Sequence, residues 1–546
     1  MSVGETFDHV IVGAGSAGCT LAYRLTEDPD VKVLILEAGS WDRDPWIRIP
    51  LGWGRILQKR LHDWGYFAEP SDTMDNRRIE CARGMVVGGS SSINAMAYYH
   101  GHPTDYDRWA SQGLPEWSHA NVLPYFKRSE DWEGGADTWR GSGGPLTTRR
   151  ATFRDPICEA VLAAGREAQH PYTDDYNGEN PEGFTRMQMT LRNGRRWSTA
   201  RAYLRPAMKR PNLTVRTGAM VLGIDWEGVR ARGIRYSHRG KTQSASADHE
   251  VILSGGSINS PQLLMLSGVG NPDHLRRHDI NTVSDLPGVG ENLSDHTSAA
   301  LVFRRKTGGT FQREMRFDRI VPSLARAYLG LGGFAADLPF GVTAFLRSAQ
   351  EVEIPDVQLL FWMGATTTAS PWLPPFKAAF GDSFSIRAMP MRPESRGHLS
   401  LASSNPGDPI QIHQNFLRTD SEWQVMRRGL RMIRDLAASP ALKDFAGEEL
   451  APGADAQSDA ELDAHVKNTM ITVHHPVGTC KMGTESDPMA VVDENLRVRG
   501  VEGLRVVDAS VMPDLVAGAT NAPVIMIAEK AADMILGKDP LPAAQL

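Results

Sequence analysis

The feature that most constrains the fold is a glycine-rich turn near the amino terminus, formed by Gly13, Gly15 and Gly18. It follows an apolar stretch typical of a buried strand, residues 7–12, and it precedes residues 17–25, where apolar residues recur at helical spacing. This unit predicts a phosphate cradle. The first glycine allows the tight turn, the second lets a pyrophosphate approach the backbone, and the third lets the helix pack closely on the strand. The N–H groups at the start of the helix would face the phosphates.

An acidic residue stands at the expected distance beyond this turn. Residues 31–36 form a second buried-strand pattern that ends at Glu37, nineteen residues after Gly18. A carboxylate there accepts hydrogen bonds from both hydroxyls of an adenosine ribose and repels a 2′-phosphate. The combination predicts a dinucleotide site, but it does not by itself separate NAD from FAD.

A second glycine-rich run, RGMVVGGSSSIN, occupies residues 83–94. Its small residues predict another stretch of backbone that lies against a large, flat ligand. A chain that binds NAD through the first turn has no need of a second cradle so early in the sequence. The second run therefore favours FAD.

Composition excludes several other classes of protein. The chain has 546 residues, of which 41% are hydrophobic and 23% charged, as in an ordinary globular protein of two to four domains. A net charge of −6 without long runs of like charge argues against a nucleic-acid surface. The four cysteines are scattered without a CxxC pair, which predicts neither a disulfide framework nor a metal site.

We expect a cytoplasmic protein. The cysteine usage fits a reducing compartment, and the amino terminus shows no signal-peptide pattern. No stretch reaches the roughly eighteen apolar residues that a membrane span needs. The segment 324–346 is apolar, rich in glycine and broken by Pro339, which is compatible with a lid or with peripheral membrane contact. A loop packed over the substrate entrance is the favoured interpretation.

The pattern of elements indicates two interleaved domains. Strand and helix signals of nucleotide-domain type recur around residues 213–224, 250–267 and 504–535, whereas residues 303–475 alternate strand candidates with long loops and a helix at 421–438. We predict an α/β fold, with a Rossmann-type FAD-binding domain and an α+β substrate domain built on an antiparallel sheet. The predicted FAD-binding domain comprises residues 1–150, 205–302 and 478–546, and the substrate-binding domain comprises residues 151–204 and 303–477.

Motifs along almost the whole chain resemble the glucose-methanol-choline (GMC) oxidoreductases. Besides VIVGAGSAG and the run from 83 to 96, they are GSINSPQLLMLSGVG at 256–270, PGVGENLSDH at 287–296, HHPVGTCKMG at 474–483, VVDASVMP at 506–513 and TNAPVIMIAEKAADMI at 520–535. Within the family the chain looks most like bacterial choline-, alcohol- and sorbose-dehydrogenase-type members. The resemblance implies an FAD-dependent enzyme that oxidises an alcohol CH–OH group to an aldehyde or ketone, with hydride passing to flavin N5.

The resemblance also assigns cofactor contacts to matching positions. Glu37 and the first turn would hold the ADP half, Val221 would meet the adenine through its backbone, and Asp508 would lie beside the ribityl chain. The implied cofactor-binding residues are Gly13, Gly15, Ser16, Ala17, Gly18, Glu37, Ala38, Arg83, Val87, Gly88, Ser92, Asn94, Ala95, Met96, Val221, Asp508, Ala509, Asn521 and Pro523. Ile93 stands where some relatives have a histidine bonded to the flavin, so the resemblance implies non-covalent FAD.

Two catalytic residues follow from the same resemblance. The catalytic histidine of the family directly precedes x-x-Gly-Thr, and this register selects His475, whose imidazole suits a general base. The second position holds His or Asn in the family and is Asn521 here. An amide cannot act as a base near neutral pH, but it can hold the substrate oxygen and stabilise the developing alkoxide.

The substrate pocket is less well specified by the sequence. We expect His474, Phe361 and Met363 to contribute to it, with a structural role for His474 and core packing for the aromatic strand as the alternatives. His296 is expected to be structural. The expected partners are a small-molecule alcohol and a quinone-like electron acceptor. An oxidase that uses oxygen and a non-redox lyase of the same fold remain alternatives, and the sequence does not name the alcohol.

Overall fold

The computed structural model describes residues 5–364 and 369–546, and its two largest sheets have seven strands each. In spatial order the first sheet consists of Ala219–Glu227, Arg230–His238, Lys241–Leu253, Glu5–Val12, Val33–Glu37 and Leu213–Thr217, with Leu504–Val506 also paired to Lys241–Leu253. Five of these strands are parallel, and the first two form an antiparallel extension.

The centre of the first sheet is buried on both faces, as parallel sheets are. All five residues of Val33–Glu37 are buried, which explains their continuous apolar pattern. The first helix, Ser16–Leu25, packs against the last helix, Asn521–Ile535, whose residues 522–533 are all buried. The two ends of the chain therefore build one layer of the same domain.

The second sheet is antiparallel throughout. Its strands are, in spatial order, Ala446–Ala451, Thr297–Arg305, Ser383–Pro390, Val357–Trp362, Val342–Leu346 and Gly183–Arg186, with Ile471–Thr472 also paired to Thr297–Arg305. The helix Asp420–Ala437 covers one face of this sheet. Its Gly429 allows the close approach, because a β-carbon there would lie 2.7 Å from Cβ of Ala388.

Other helices surround the two sheets. Those of at least seven residues are Trp53–Lys59, Pro103–Ser111, His119–Ser129, Pro156–Glu167, Gly256–Leu266, Phe317–Leu329 and Asp459–Thr469. Within the described residues, no helix combines the length and the apolar character that crossing a membrane requires.

The predicted α/β class, with a parallel nucleotide-type sheet and a separate antiparallel sheet, is confirmed. One strand crosses a predicted domain boundary, because Thr297–Arg305 pairs only with strands of the second sheet although the boundary was placed at residue 302. The domain division itself stays a prediction. The segment 324–346 contains the end of one helix, a short turn at Phe334–Ala336 and the buried strand Val342–Leu346.

Candidate active site

A cavity of about 1150 Å³ is bordered by both sheets. This volume exceeds the 300–1,000 Å³ that is usual for small-molecule pockets. The lining residues come from the glycine turn, from the second glycine run, from the antiparallel sheet and from the segment that carries the two adjacent histidines. The cavity therefore has room for a dinucleotide and a substrate together.

The glycine turn has the geometry of a phosphate cradle. A β-carbon at Gly18 would lie 1.9 Å from the carbonyl oxygen of Gly13, so only glycine allows the helix to pack so closely on the strand. A β-carbon at Gly15 would meet no atom closer than 3.9 Å and would project toward the cavity. No side chain caps the helix Ser16–Leu25. Its first N–H groups are therefore available for an anionic ligand.

Glu37 lies at the buried end of its strand and lines the same cavity. Its carboxylate accepts hydrogen bonds from the backbone N–H groups of Ala14, at 2.9 Å, and Gly39, at 2.8 Å. Burial raises the pKa of Glu37 to about 7, against these two hydrogen bonds. A carboxylate fixed in this way retains lone pairs for ribose hydroxyls.

The second glycine run lies directly on the first turn. The N–H of Gly88 donates to the carbonyl oxygen of Ala14 over 2.7 Å, and a β-carbon at Gly89 would lie 2.7 Å from Cα of Gly15. The two runs thus form one continuous backbone surface, which fits an extended dinucleotide such as FAD. Ile93 lines the cavity and offers no atom for a covalent bond to the cofactor.

The structure separates the predicted cofactor residues into two groups. Those that line the cavity are Gly13, Gly15, Ser16, Ala17, Glu37, Ala38, Arg83, Asn94, Ala95, Met96, Val221, Asp508, Ala509 and Asn521. Those that do not line it are Gly18, Val87, Gly88, Ser92 and Pro523. The second group holds the wall together, as when Ser92 Oγ donates to the carbonyl oxygen of Val87 over 2.8 Å.

Asp508 joins the strand Leu504–Val506 to the helix Gly256–Leu266. Its buried carboxylate accepts hydrogen bonds from Ser260 Oγ at 2.5 Å, Gly256 N–H at 2.8 Å and Ser510 Oγ at 2.6 Å. Burial raises its pKa. This network fixes the wall of the cavity at the position that was predicted for the ribityl chain.

His475 is held by two residues that precede it by almost two hundred positions. Its backbone N–H donates to Asp295 Oδ1 over 2.7 Å, and its Nδ1 lies 3.1 Å from Nδ1 of His296. The other nitrogen of His296, Nε2, lies 2.9 Å from the carbonyl oxygen of Met391. Sequence reasoning gave His296 only a structural role and did not find this contact.

Both adjacent histidines line the cavity and favour the neutral form. Burial, with smaller contributions from His296, Arg83 and His474, lowers the pKa of His475 well below its usual value. Burial and the Arg83 guanidinium lower the pKa of His474 to about 3. Arg83 also donates to the backbone carbonyl of His474 and so holds this segment in place.

Asn521 is the first residue of the last helix and also lines the cavity. Its Oδ1 accepts the hydroxyl hydrogen of Ser16 over 2.7 Å. Pro523 occupies the first turn of the same helix, a position where its missing N–H leaves no helical hydrogen bond unmade. The structure thus brings His475, Asn521 and the cofactor cradle to one cavity.

The expectation that Phe361 and Met363 line the substrate pocket is corrected by their placement. Both are buried on the side of the sheet that faces away from the cavity, and Phe361 contacts Phe184. Their neighbours Leu360 and Trp362 line the cavity instead. The reason is the alternation of a strand, whose successive side chains point to opposite faces.

The cavity-lining residues of two adjacent strands of this sheet were missed by sequence reasoning. They are Gln358, Leu360, Trp362, Ser385, Arg387 and Met389. They alternate along both strands with residues that face away from the cavity. The period-two pattern could have grouped these residues, although it could not show which group faces the cavity.

Comparisons with known proteins agree with this architecture. Family models described as GMC oxidoreductase match residues 7–298 and 393–528. The chain is 45% identical over 547 residues to mitochondrial choline dehydrogenase of Mus musculus, covering 98% of this chain and 90% of that protein. It is 42% identical over 554 residues to oxygen-dependent choline dehydrogenase 1 of Chromohalobacter salexigens, and the match covers 100% of this chain and 98% of that protein.

Solved structures give the same result. Pyridoxine 4-oxidase from Mesorbium loti has a TM-score of 0.87 at 32% identity, covering 98% of this chain and 100% of that one. A formate oxidase has a TM-score of 0.90 at 28% identity, and the match covers 98% of this chain and 99% of that one. Together the fold, the cradle and the relatives define a flavin-dependent oxidoreductase that acts on CH–OH donors. The chain belongs to the GMC oxidoreductase family, and its cofactor is FAD.

Proposed function

We propose that this enzyme oxidises an alcohol to an aldehyde or ketone with His475 as the general base and Asn521 as the group that holds the substrate oxygen. FAD, when bound, accepts the two electrons of the oxidation. The residues of the cradle hold it, and Ile93 leaves it without a covalent bond to the protein. The observation that carries the proposal is the hydrogen-bond chain that ends at His475.

The hydrogen bonds from Met391 through His296 to His475 support one assignment of the imidazole protons. A backbone carbonyl can only accept, so His296 donates from Nε2 to Met391 over 2.9 Å. Nδ1 of His296 is then an acceptor, and the hydrogen in the 3.1 Å contact belongs to Nδ1 of His475. Nε2 of His475 keeps its lone pair and can take the proton of a substrate hydroxyl.

The electrostatic surroundings of His475 keep its imidazole neutral. Burial and the Arg83 guanidinium lower its pKa, so the lone pair of Nε2 is free at physiological pH. Asp295 accepts the backbone N–H of the same residue, and burial raises the pKa of Asp295 to about 6. This contact fixes the backbone of His475 beside His296.

We propose a quinone-like electron acceptor and keep oxygen as the second candidate, because several relatives are named oxygen-dependent choline dehydrogenases. The surface near the cavity supports the first choice. Met315, Ile320 and Leu324 line the cavity, and on the outer side Phe317 and Leu329 are 53% and 61% exposed.

Leu331, 59% exposed, and Phe376, 86% exposed, extend the apolar surface. Such a surface suits contact with a membrane that contains the acceptor. We therefore propose peripheral membrane contact by a cytoplasmic protein, and the four free, buried cysteines fit a reducing compartment. The experiment is flotation with liposomes, in which Phe376→Ser and Leu329→Ser should weaken binding. Equal flotation of the variants and the wild type would remove this surface from the proposal.

The test of the main proposal is anaerobic mixing of the FAD-loaded enzyme with a panel of alcohols. Choline is included because relatives are named for it. Loss of the flavin colour identifies alcohol oxidation, whereas a non-redox lyase would leave the colour unchanged. The reduced enzyme is then mixed with oxygen or with a soluble quinone analogue. Faster reoxidation by the quinone is expected, and faster reoxidation by oxygen would establish an oxidase.

A further inference from the structure

The second sheet presents a polar group of side chains to the cavity. Arg387 lies directly opposite Leu360 on the neighbouring strand, and Ser385 lies opposite Trp362. All four line the cavity, on the face that is not covered by the helix Asp420–Ala437. Arg387, Ser385 and Trp362 therefore share one patch of the cavity wall, and each carries a hydrogen-bond donor.

Arg387 has no counter-charge. Its Nη1 donates to Ser298 Oγ over 3.2 Å, but its guanidinium forms no ion pair with any carboxylate of the described chain. The undescribed residues 1–4 and 365–368 contain no Asp or Glu. Burial without such a partner lowers the pKa of Arg387 to about 10. An uncompensated charge in a cavity wall is costly unless a ligand neutralises it.

Three buried arginines of this protein have carboxylate or carbonyl partners. Arg140 pairs with Glu130 and Asp175, and Arg305 pairs with Asp155. Arg196 also has no carboxylate, but its guanidinium donates to the carbonyl oxygens of residues 47, 91 and 94. Arg387 differs from all three because its remaining donors face the cavity.

The two neighbours of Arg387 also lack partners. Within the described part of the chain, Nε1 of Trp362 and Oγ of Ser385 are buried without a hydrogen bond. Buried donors without an acceptor are rare in folded proteins and call for an explanation. The wall beside Arg387 is therefore short of hydrogen-bond acceptors, and a ligand that reaches the guanidinium should be an acceptor.

The distribution of charge in the cavity supports the same conclusion. The acidic residues that line it are Glu37, Asp63, Glu80, Asp408 and Asp508, and none of them belongs to the second sheet. Two of them, Glu37 and Asp508, already accept several hydrogen bonds at the cofactor cradle. The wall around Arg387 is therefore positively charged.

We propose that the alcohol oxidised by this enzyme carries a carboxylate, which is bound by Arg387 beside Ser385 and Trp362. This inference rests on the proposed function. The planar guanidinium matches the two oxygens of a carboxylate. A quaternary ammonium group at the same position would face a like charge.

The length of the test substrates follows from the strand. The carbonyl of Met391 contacts His296, which contacts His475. Arg387 precedes Met391 by four residues, or about 13 Å along an extended chain. Substrates with the hydroxyl and the carboxylate at opposite ends are therefore tested.

The experiment uses FAD-loaded wild-type enzyme and three alcohols of equal length, 6-hydroxyhexanoate, 1,6-hexanediol and 6-amino-1-hexanol, together with choline and a phosphate ester of the diol. Anaerobic flavin reduction gives an apparent affinity for each. We expect the hydroxy acid to have the highest affinity and choline and the amino alcohol the lowest. Hexanoate should compete with the diol, whereas hexylamine should not. A phosphate ester that binds better than the hydroxy acid would overturn the choice of a carboxylate.

Variants locate the site. Arg387→Ala should weaken the affinity for the hydroxy acid by roughly 10- to 100-fold, as expected for the loss of charged hydrogen bonds, and affect the affinity for the diol much less. Arg387→Lys should recover part of the loss. Arg304→Ala is the matched control, because Arg304 lies on the adjacent strand and pairs with Glu448 at the surface.

Two outcomes distinguish failure of the proposed carboxylate site from failure of the proposed alcohol oxidation. If the diol reduces the flavin and the wild-type enzyme does not prefer the hydroxy acid, the carboxylate site is wrong and alcohol oxidation stands. If none of the alcohols reduces the flavin and hexanoate does not perturb its spectrum, both proposals fail. The hexanoate titration needs no variant, so a folding defect in Arg387→Ala does not affect this decision.

Discussion

Ser16 donates its hydroxyl hydrogen to Oδ1 of Asn521 over 2.7 Å, and this contact joins the first helix to the last across 505 residues of sequence. Because the amide oxygen is occupied, Asn521 is left with its Nδ2 hydrogens for a ligand in the cavity. The residue is thereby oriented as a donor. A donor is what a substrate oxygen needs as it develops negative charge.

Asn521→Ala should slow flavin reduction by roughly 10²–10³-fold, the usual effect of removing one donor to a developing oxyanion. Ser16→Ala should slow it only about fivefold, since it removes one hydrogen bond that orients the amide. Anaerobic stopped-flow absorbance measures both variants. An Asn521→Ala enzyme with the wild-type rate would exclude the amide from the reaction.

His475→Ala should slow flavin reduction by roughly 10²–10⁴-fold and leave FAD bound, because it removes the proposed general base. His474→Ala is the matched control in the next position, and we expect it to change substrate affinity or stability more than the reduction rate. The same stopped-flow assay compares the two. If His474→Ala is the slower variant, the register of the catalytic assignment is off by one residue.

The pH dependence should reflect neutral histidines. The pKa of His475 lies well below its usual value and that of His296 at about 4, so flavin reduction should be independent of pH above about 6.5 and decrease in acid. Stability has opposing contributions in the same range. Unfolded histidines take up protons near pH 6.5 and these folded ones do not, so their contribution to the free energy of unfolding falls from pH 6.5 toward pH 4, whereas the raised pKa values of Glu37 and Asp295 act in the opposite direction.

Urea unfolding at pH 8, 6 and 5 checks the stability, and reduction rates over the same range check the activity. A reduction rate that still increases between pH 7 and 9 would contradict a neutral base at pH 7.

Glu37→Ala should weaken FAD binding by about 1.5–3 kcal/mol, because it removes the acceptor for the ribose hydroxyls. The reduction rate of enzyme reloaded with FAD should change little. Glu27→Ala is the control, since it removes the same charge from an exposed position just after the first helix. Fluorescence titration of FAD into apo-protein gives both affinities, and equal values would remove Glu37 from the site.

FAD should separate from the protein on denaturation, because Ile93 cannot form a covalent link to it. Acid or heat followed by ultrafiltration should leave the yellow colour and an intact FAD mass in the filtrate. Flavin that stays with the precipitated chain would show an attachment at another residue.

The cofactor end of the site could be predicted because its geometry is local. Gly13, Gly15 and Glu37 lie within a single strand–helix–strand unit, where turn chemistry and spacing determine which atoms meet. The contact between His296 and His475 could not be predicted in this way. These residues are 179 positions apart, and only the tertiary fold brings them together.

The substrate end illustrates a different limit. Residues 357–362 were correctly interpreted as a strand, but the alternation of a strand does not say which face is covered. The close packing of Gly429 against Ala388 places the helix Asp420–Ala437 on one face and leaves the other for the cavity. Phe361 and Met363 therefore take the alternative role of core packing, and Arg387 was missed.

The return of the chain to its first sheet has a consequence for biosynthesis. Glu5–Val12 leaves the ribosome first, but its sheet is complete only when Leu504–Val506 and the helix Asn521–Ile535 have been made. Domains generally fold as units, so the amino-terminal strands must wait for nearly the entire chain. A nascent or truncated chain therefore exposes unfinished apolar surface. A cofactor that binds the folded domain stabilises it by mass action, so flavin supply during expression should affect how much protein escapes aggregation.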